Sequence, residues 1–70
     1  MISENELEQA CAYISSVFKN QKVLFEEIKQ SVQSQFSETT FNHLVQKSLL
    51  QVENDRAYLS HRGNVLAGRK

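Results

Sequence analysis

The stretch SETTFNHLVQKSLLQV, Ser37 to Val52, contains the change of pattern that decides the fold. Ser37 is a typical helix N-cap residue, and apolar side chains then recur at helical spacing. We therefore predict a helix over 38–48 with one buried stripe and one polar face. The residues expected in the buried stripe are Phe41, Leu44, Val45, Ser48 and Leu49.

After this helix the pattern changes to that of a β-hairpin. Leu50–Glu53 indicates a strand, and Arg56–Leu59 indicates the returning strand. Between them Asn54-Asp55 is a two-residue turn in which Asn and Asp tolerate positive φ. A two-residue loop of this kind sets Glu53 opposite Arg56.

Two further helices are predicted before this stretch. The first has Ser3 as its N-cap with Glu6 three residues later, a capping-box pattern, and it is expected to end near Asn20. Its apolar residues follow i, i+3, i+4 spacing and are Leu7, Ala10, Cys11, Ile14, Val17 and Phe18. A short strand at Lys22–Leu24 follows. The second helix has Phe25, Ile28, Val32 and Phe36 on its apolar side.

The end of the chain favours a short closing helix over Ser60–Ala67, with Gly68 as its stop. The order is therefore three helices, a hairpin and a terminal helix. This pattern predicts an α+β, mostly α, fold in a single domain over residues 1–70, since a chain of this length has room for only one.

Composition narrows the class of protein. Only one cysteine is present, which excludes an intramolecular disulfide and favours a reducing, cytoplasmic location. No apolar run approaches the roughly 20 residues of a membrane span, and the N-terminus lacks the pattern of a secretory signal. The eight basic and eight acidic residues balance to a net charge of zero.

No catalytic or metal-binding pattern is evident. Cys11, His43 and His61 do not have the spacing of a zinc site, and no glycine-rich phosphate loop occurs. We therefore expect no enzymatic activity, no metal and no cofactor.

Two segments resemble the winged helix-turn-helix domains of bacterial and archaeal transcription regulators. SETTFNHLVQKSLLQV is similar to a recognition helix that continues into the first wing strand, and AYLSHRGNVLA is similar to the strand and Leu-Ser-x-x-Gly element before the closing helix. The resemblance covers roughly Ile14 to Ala67. It implies a three-helix winged helix-turn-helix fold with a short β-hairpin wing and a short C-terminal helix.

The sequence departs from that family at two turns. QSVQSQFS, between the second and third helices, lacks the glycine that is common there, so we expect a longer second helix. Ser48-Leu49-Leu50 also lacks the glycine found before the first wing strand in many members. A positive φ costs a non-glycine residue about 1 kcal/mol, so we expect this turn to be built differently.

The resemblance implies that the third helix enters the major groove of duplex DNA. Amide side chains on its polar face can hydrogen-bond adenine bidentately, and nearby hydroxyl and basic groups can contact phosphates. Arg56 either contacts a phosphate or pairs with Glu53 across the hairpin. The candidate DNA contacts are Thr39, Thr40, Asn42, His43, Gln46, Lys47, Lys29, Arg56 and Arg62.

A second interpretation has a different class of partner. Zero net charge and an acidic wing tip favour a winged-helix module that binds a protein rather than DNA. A small DNA-binding domain would also need to dimerise or be held by a partner, and the first helix is the candidate surface for that contact. The apolar residues that would form that surface are Ile2, Leu7, Cys11 and Ile14. Alternatively, these residues belong to the core.

Overall fold

A computed structural model describes residues 3–19 and 21–68. This part of the chain contains four helices and three strands, and the fold is α+β and mostly helical, as predicted. The elements in chain order are α1 (Glu4–Phe18), β1 (Val23–Leu24), α2 (Phe25–Gln35), α3 (Glu38–Gln46), β2 (Leu50–Glu53), β3 (Arg56–Leu59) and α4 (His61–Ala67).

Helix α1 begins and ends at side-chain and backbone caps. The Ser3 hydroxyl accepts a hydrogen bond from the Glu6 backbone N–H, as the capping pattern predicts. The helix ends at Phe18 because Lys19 adopts a left-handed conformation with φ 52°, a common helix stop. Asn20, the predicted end, lies outside the described residues. Val17 was expected on the buried side but is 49% exposed.

Helix α2 follows β1 without a loop. No side chain caps its first turn; instead the Phe25 N–H donates to the Asp55 carbonyl at 2.7 Å. The hairpin turn therefore satisfies a backbone donor that a helix start leaves unpaired. The helix continues to Gln35, which leaves only 36–37 to connect it to α3.

Helix α3 begins at the predicted Ser37 cap but ends at Gln46, two residues before the predicted end. Ser48 leaves the helix with φ 60°. The expectation that this turn is built differently from the glycine-containing turn is therefore wrong, because a serine adopts the left-handed conformation here. The Leu49 N–H then donates to the Leu44 carbonyl at 2.9 Å and directs the chain into β2.

The three strands form one antiparallel sheet in the order β1-β3-β2. The hairpin register is the predicted one, with Glu53 opposite Arg56 and Val52 opposite Ala57. Asn54 in the turn has φ 57°. Side chains alternate between the two faces of a strand, so Leu50 of β2 lies on the same face of the sheet as Ala57 and Leu59 of β3. All three side chains are buried, and this face is the one that packs on the core.

One apolar core connects α1, α2 and α3 to the buried face of the sheet. Its members are Leu7, Ala10, Cys11, Ile14, Ile28, Val32, Phe41, Leu44, Leu49, Leu50, Ala57 and Leu59. Two predicted members of the α3 stripe lie outside the core, since Val45 is 36% exposed and Ser48 is also exposed.

Helix α4 is joined to the start of β2 by a dense set of hydrogen bonds around Ser60. The Ser60 N–H donates to the Leu49 carbonyl at 3.0 Å, and its hydroxyl donates to the Ser48 carbonyl at 2.6 Å. The same hydroxyl accepts from the Gly63 N–H at 3.1 Å and so caps α4. A Cβ at Gly63 would lie 2.3 Å from the Leu49 oxygen, so this close approach requires glycine.

Candidate nucleic-acid interface

The outward face of α3 presents three polar side chains in one row. Thr39, Asn42 and Gln46 are all exposed. At about 100° per residue they lie within an arc of roughly 60° on the helix surface. The face therefore combines two amide groups with one hydroxyl and points away from the core.

Apolar packing fixes the orientation of this face from behind. Phe41 and Leu44 are buried on the opposite side of α3. The Phe41 ring meets the Phe25 ring of α2 edge to face, with centroids 5.5 Å apart and an interplanar angle of 70°. Such pairs stabilise a packed arrangement beyond their buried area. The polar row is therefore held on a rigid element.

Thr40 does not belong to this face, so its assignment as a DNA contact is wrong. Its side chain is 0% exposed. The Thr40 hydroxyl donates to the Glu6 carboxylate at 2.5 Å and lies 3.0 Å from the Ser37 hydroxyl. A buried hydroxyl needs such partners, and here they connect the first turns of α1 and α3.

The role of Glu6 was missed beyond its place in the capping pattern. Its partner Thr40 is 34 residues away in the chain. No local sequence signal indicates a contact at that separation. The contact instead follows from the way α1 packs across the start of α3.

His43 lies at the edge of the polar row and is half-buried. Its Nδ1 is 2.9 Å from the Thr39 carbonyl oxygen, one turn earlier in α3. A carbonyl oxygen only accepts, so Nδ1 carries a proton and donates. In the neutral ring Nε2 then remains as an acceptor toward solvent.

Of the two predictions for Arg56, the ion pair with Glu53 across the hairpin is wrong. Glu53 accepts a hydrogen bond from the Lys22 ammonium at 3.0 Å rather than pairing with Arg56. This bond raises the pKa of the Lys22 ammonium. The Lys22 nitrogen also lies 5.2 Å from the centroid of the Tyr58 ring. Among the described residues the exposed Arg56 side chain has no ionic partner.

The remaining basic candidates lie on different parts of the surface. Lys29 is half-buried on α2, and its ammonium is 5.9 Å from the Phe25 ring centroid. Lys47 follows α3 at its C-cap and lines a groove of about 550 Å³ together with Arg62 of α4. The structure thus brings Lys47 and Arg62 together, but on a groove beside α1 and α4 rather than in the row formed by Thr39, Asn42 and Gln46.

Carboxylates occur both on α3 itself and on the hairpin that follows it. Glu38 occupies the first turn of α3, and Asp55 and Glu53 lie at the wing tip. A carboxylate in the first helical turn stabilises the helix, but it repels a nearby phosphate. The polar row can therefore donate and accept hydrogen bonds, but the carboxylate of Glu38 on the same helix opposes phosphate binding beside it.

The described residues contain neither a candidate metal site nor a reactive cysteine. Residues 3–19 and 21–68 contain no cluster of three or more side chains suited to hold a metal ion, and no helix within them is long and apolar enough to cross a membrane. Cys11 is fully buried, and burial raises the pKa of its thiol to about 11. The thiol therefore stays protonated and unreactive at neutral pH.

The predicted dimer surface on the first helix is also corrected. Leu7, Cys11 and Ile14 are core residues. Ile2 lies outside the described residues. A partner copy cannot contact the three core side chains in the folded protein, so any dimer through α1 must use a different face of this helix.

No family model, curated protein or solved structure matches this chain. The geometry above is therefore the basis for the assignments that follow.

Proposed function

We propose that this domain is a winged helix-turn-helix protein that binds duplex DNA, with α3 in the major groove. The single observation that supports this best is the row of Thr39, Asn42 and Gln46 on the outward face of α3. Amides bind adenine N6 and N7 bidentately, and a threonine methyl can contact the thymine methyl. The order of elements, with a hairpin directly after α3, also agrees with the resemblance.

Phosphate contacts are expected to be few. Lys22 is already paired with Glu53, and Lys47 and Arg62 line a separate groove, which leaves Arg56 and Lys29 as the candidate phosphate contacts. Each phosphate contact changes the slope of log K against log salt by about −0.9, so two contacts give about −2 per domain. The domain is therefore expected to bind DNA weakly as a single copy.

Fluorescence anisotropy of a labelled mixed-sequence duplex tests the proposal. The protein is titrated at low salt and again at physiological salt. Saturable binding that weakens with salt is expected, followed by selection of a preferred site. Asn42→Ala and Gln46→Ala should then each cost about 1–3 kcal/mol on the preferred site, since each removes a bidentate base contact.

Gln9→Ala is the matched control, because Gln9 is an exposed amide on α1 and does not belong to the polar row of α3. It should leave affinity unchanged. All variants are first checked for native helix content and thermal stability. Absence of binding by the folded wild-type protein at low salt would refute direct DNA recognition, because phosphate attraction is strongest there.

A protein-binding winged-helix module is the second candidate function. It is favoured by the apolar and acidic surface at the wing, where Leu24 and Val52 are each 44% exposed beside Glu26 and Asp55. Such a surface repels phosphates and suits a partner with apolar and basic side chains. The low-salt titration separates the two candidates, since only DNA recognition predicts binding to a bare duplex.

A further inference from the structure

The imidazole of His43 lies beside the polar row of α3 and is held in one orientation. At about 100° per residue, His43 lies about 40° from Thr39 and about 60° from Gln46 around the helix axis. The side chain is half-buried, and its Nδ1 is 2.9 Å from the Thr39 carbonyl oxygen. Because that oxygen belongs to the backbone of the same helix, the ring is fixed relative to the face that carries Asn42 and Gln46.

This hydrogen bond decides what the other nitrogen of the ring can recognise. A carbonyl oxygen has no proton to donate, so Nδ1 carries the proton and Nε2 of the neutral ring carries a lone pair. The neutral side chain of His43 therefore presents an acceptor to a ligand. Phosphate oxygens are also acceptors, so this form of the ring has no hydrogen bond to offer them.

The four bases differ in their ability to donate to such an acceptor. In the major groove guanine presents N7 and O6, and thymine presents O4, all of which are acceptors. Adenine presents the N6 amino group next to the N7 acceptor, an edge that matches the amides of Asn42 and Gln46 better than it matches a single lone pair. Cytosine presents the N4 amino group, a donor, without a neighbouring acceptor. The lone pair at Nε2 therefore fits cytosine.

We propose that His43 reads cytosine in the major groove by accepting a hydrogen bond from the N4 amino group at Nε2. This role rests on the proposed function, which places α3 in the groove. It assigns His43 to base recognition and not to a phosphate contact. The preferred site then contains a cytosine in addition to the adenines that Asn42 and Gln46 bind.

Nitrogen NMR of the labelled protein tests the protonation of the ring without DNA. At about pH 8, where imidazole is neutral, Nδ1 of His43 should have the chemical shift of a protonated nitrogen and Nε2 that of a nitrogen with a lone pair. The signals are assigned by their loss in His43→Ala. A neutral ring with its proton on Nε2 would overturn the inference, because Nε2 would then donate and not accept.

Selection from a duplex library with randomised positions tests the recognition of cytosine. The wild-type protein should enrich a site in which one position is cytosine, and His43→Ala should lose the preference at that position alone. In anisotropy titrations, thymine in place of this cytosine should weaken wild-type binding roughly tenfold, since an acceptor then faces Nε2. A cytosine analogue without the exocyclic amino group, kept opposite guanine, should also weaken it. His43→Ala should bind all three duplexes with equal affinity.

His61→Ala is the matched control, because His61 is an exposed histidine on α4 and does not belong to α3. It should keep the preference for cytosine. Circular dichroism verifies that each variant is folded.

The inference and the proposed function fail in different ways. A wild-type protein that selects a site with no position sensitive to His43→Ala would overturn the inference and leave DNA binding intact. A preference for guanine at the sensitive position would also overturn it, since His43 would then be a donor. Absence of binding to any duplex would refute the proposed function, and the role of His43 would fall with it.

Discussion

Replacing Gly63 by alanine is the most direct test of how α4 is attached to the domain. A Cβ at this position would lie 2.3 Å from the Leu49 carbonyl oxygen and 2.9 Å from a Leu59 methyl group. A carbon and an oxygen in ordinary contact are more than 3 Å apart, so α4 has to move away by about 1 Å. The Leu49 oxygen is backbone and cannot rotate out of the way.

The cost follows from what this movement disturbs. The Leu49 oxygen also accepts from the Ser60 N–H at 3.0 Å and from the Ser60 hydroxyl at 3.2 Å. Weakening these bonds costs about 0.5–1.5 kcal/mol each, and the repacking costs about 1–3 kcal/mol. Alanine returns about 1 kcal/mol through its higher helix propensity. The net destabilisation is therefore about 1–5 kcal/mol, with about 3 kcal/mol at the centre of the range.

For a domain of 70 residues the total stability is roughly 4–10 kcal/mol, so this loss is easily measured. Urea denaturation should show a lower midpoint, and the melting temperature should fall by roughly 10–20 °C. Gly68→Ala, at the C-cap of the same helix, is the control. There an added Cβ meets atoms no closer than 3.7 Å at φ −84°, so stability should stay the same or rise slightly. If Gly63→Ala were as stable as Gly68→Ala, the close packing of α4 on Leu49 would be refuted.

Three further predictions concern single side chains. Ser48→Gly should stabilise the domain by about 0.5–1 kcal/mol in urea denaturation, because glycine adopts the φ of 60° at this position without strain. Part of the gain is lost because glycine raises the conformational entropy of the unfolded chain. Ser48→Ala should give no gain. Thr40→Val should destabilise the domain by about 2 kcal/mol, because the Glu6 carboxylate loses the donor that the buried Thr40 hydroxyl provides. Thr40→Ser keeps the hydroxyl and should cost about half as much. Equal losses of stability in the two variants would contradict the assigned hydrogen bond. Burial raises the pKa of the Cys11 thiol from 9.0 to about 11, so the thiol ionises at lower pH in the unfolded chain than in the folded protein. The free energy of unfolding should therefore fall by up to about 2–3 kcal/mol between pH 9 and 11. Denaturation series across that pH range should show no such loss for Cys11→Ala.

The sequence was sufficient for features that depend on neighbouring residues. Ser3 and Ser37 were identified as caps because an N-cap bonds to an N–H three residues later. The hairpin register was predicted because Asn54-Asp55 is a two-residue turn and the turn length sets the pairing. The absence of a glycine between the second and third helices led to the expectation of a long second helix, and α2 continues to Gln35.

The buried side of α3 shows where local reasoning is insufficient. Thr40 and Val45 lie at opposite edges of the same apolar stripe, and hydrophobicity alone favours burying the valine. The structure buries the threonine instead, because Glu6 accepts a hydrogen bond from its hydroxyl. That choice depends on a residue in another helix, which spacing within α3 does not reveal.

Charge partners were equally inaccessible from spacing. Arg56 stands opposite Glu53 in the hairpin, yet Glu53 bonds Lys22, which precedes β1. The pairing of β1 with β3 brings Lys22 beside the hairpin. The ion pair could therefore be predicted only with knowledge of the strand order. The convergence of Lys47 and Arg62 on one groove likewise depends on how α4 packs against α1.

The proposed DNA contacts make a quantitative prediction about salt. If a single copy contacts phosphates through Lys29 and Arg56, log K falls with log salt with a slope of about −2. In anisotropy titrations at several salt concentrations, Arg56→Ala should therefore reduce the slope to about −1, whereas Gln9→Ala should leave it unchanged. An unchanged slope for Arg56→Ala would mean that Arg56 contacts no phosphate, because each phosphate contact contributes its own share of released counterions.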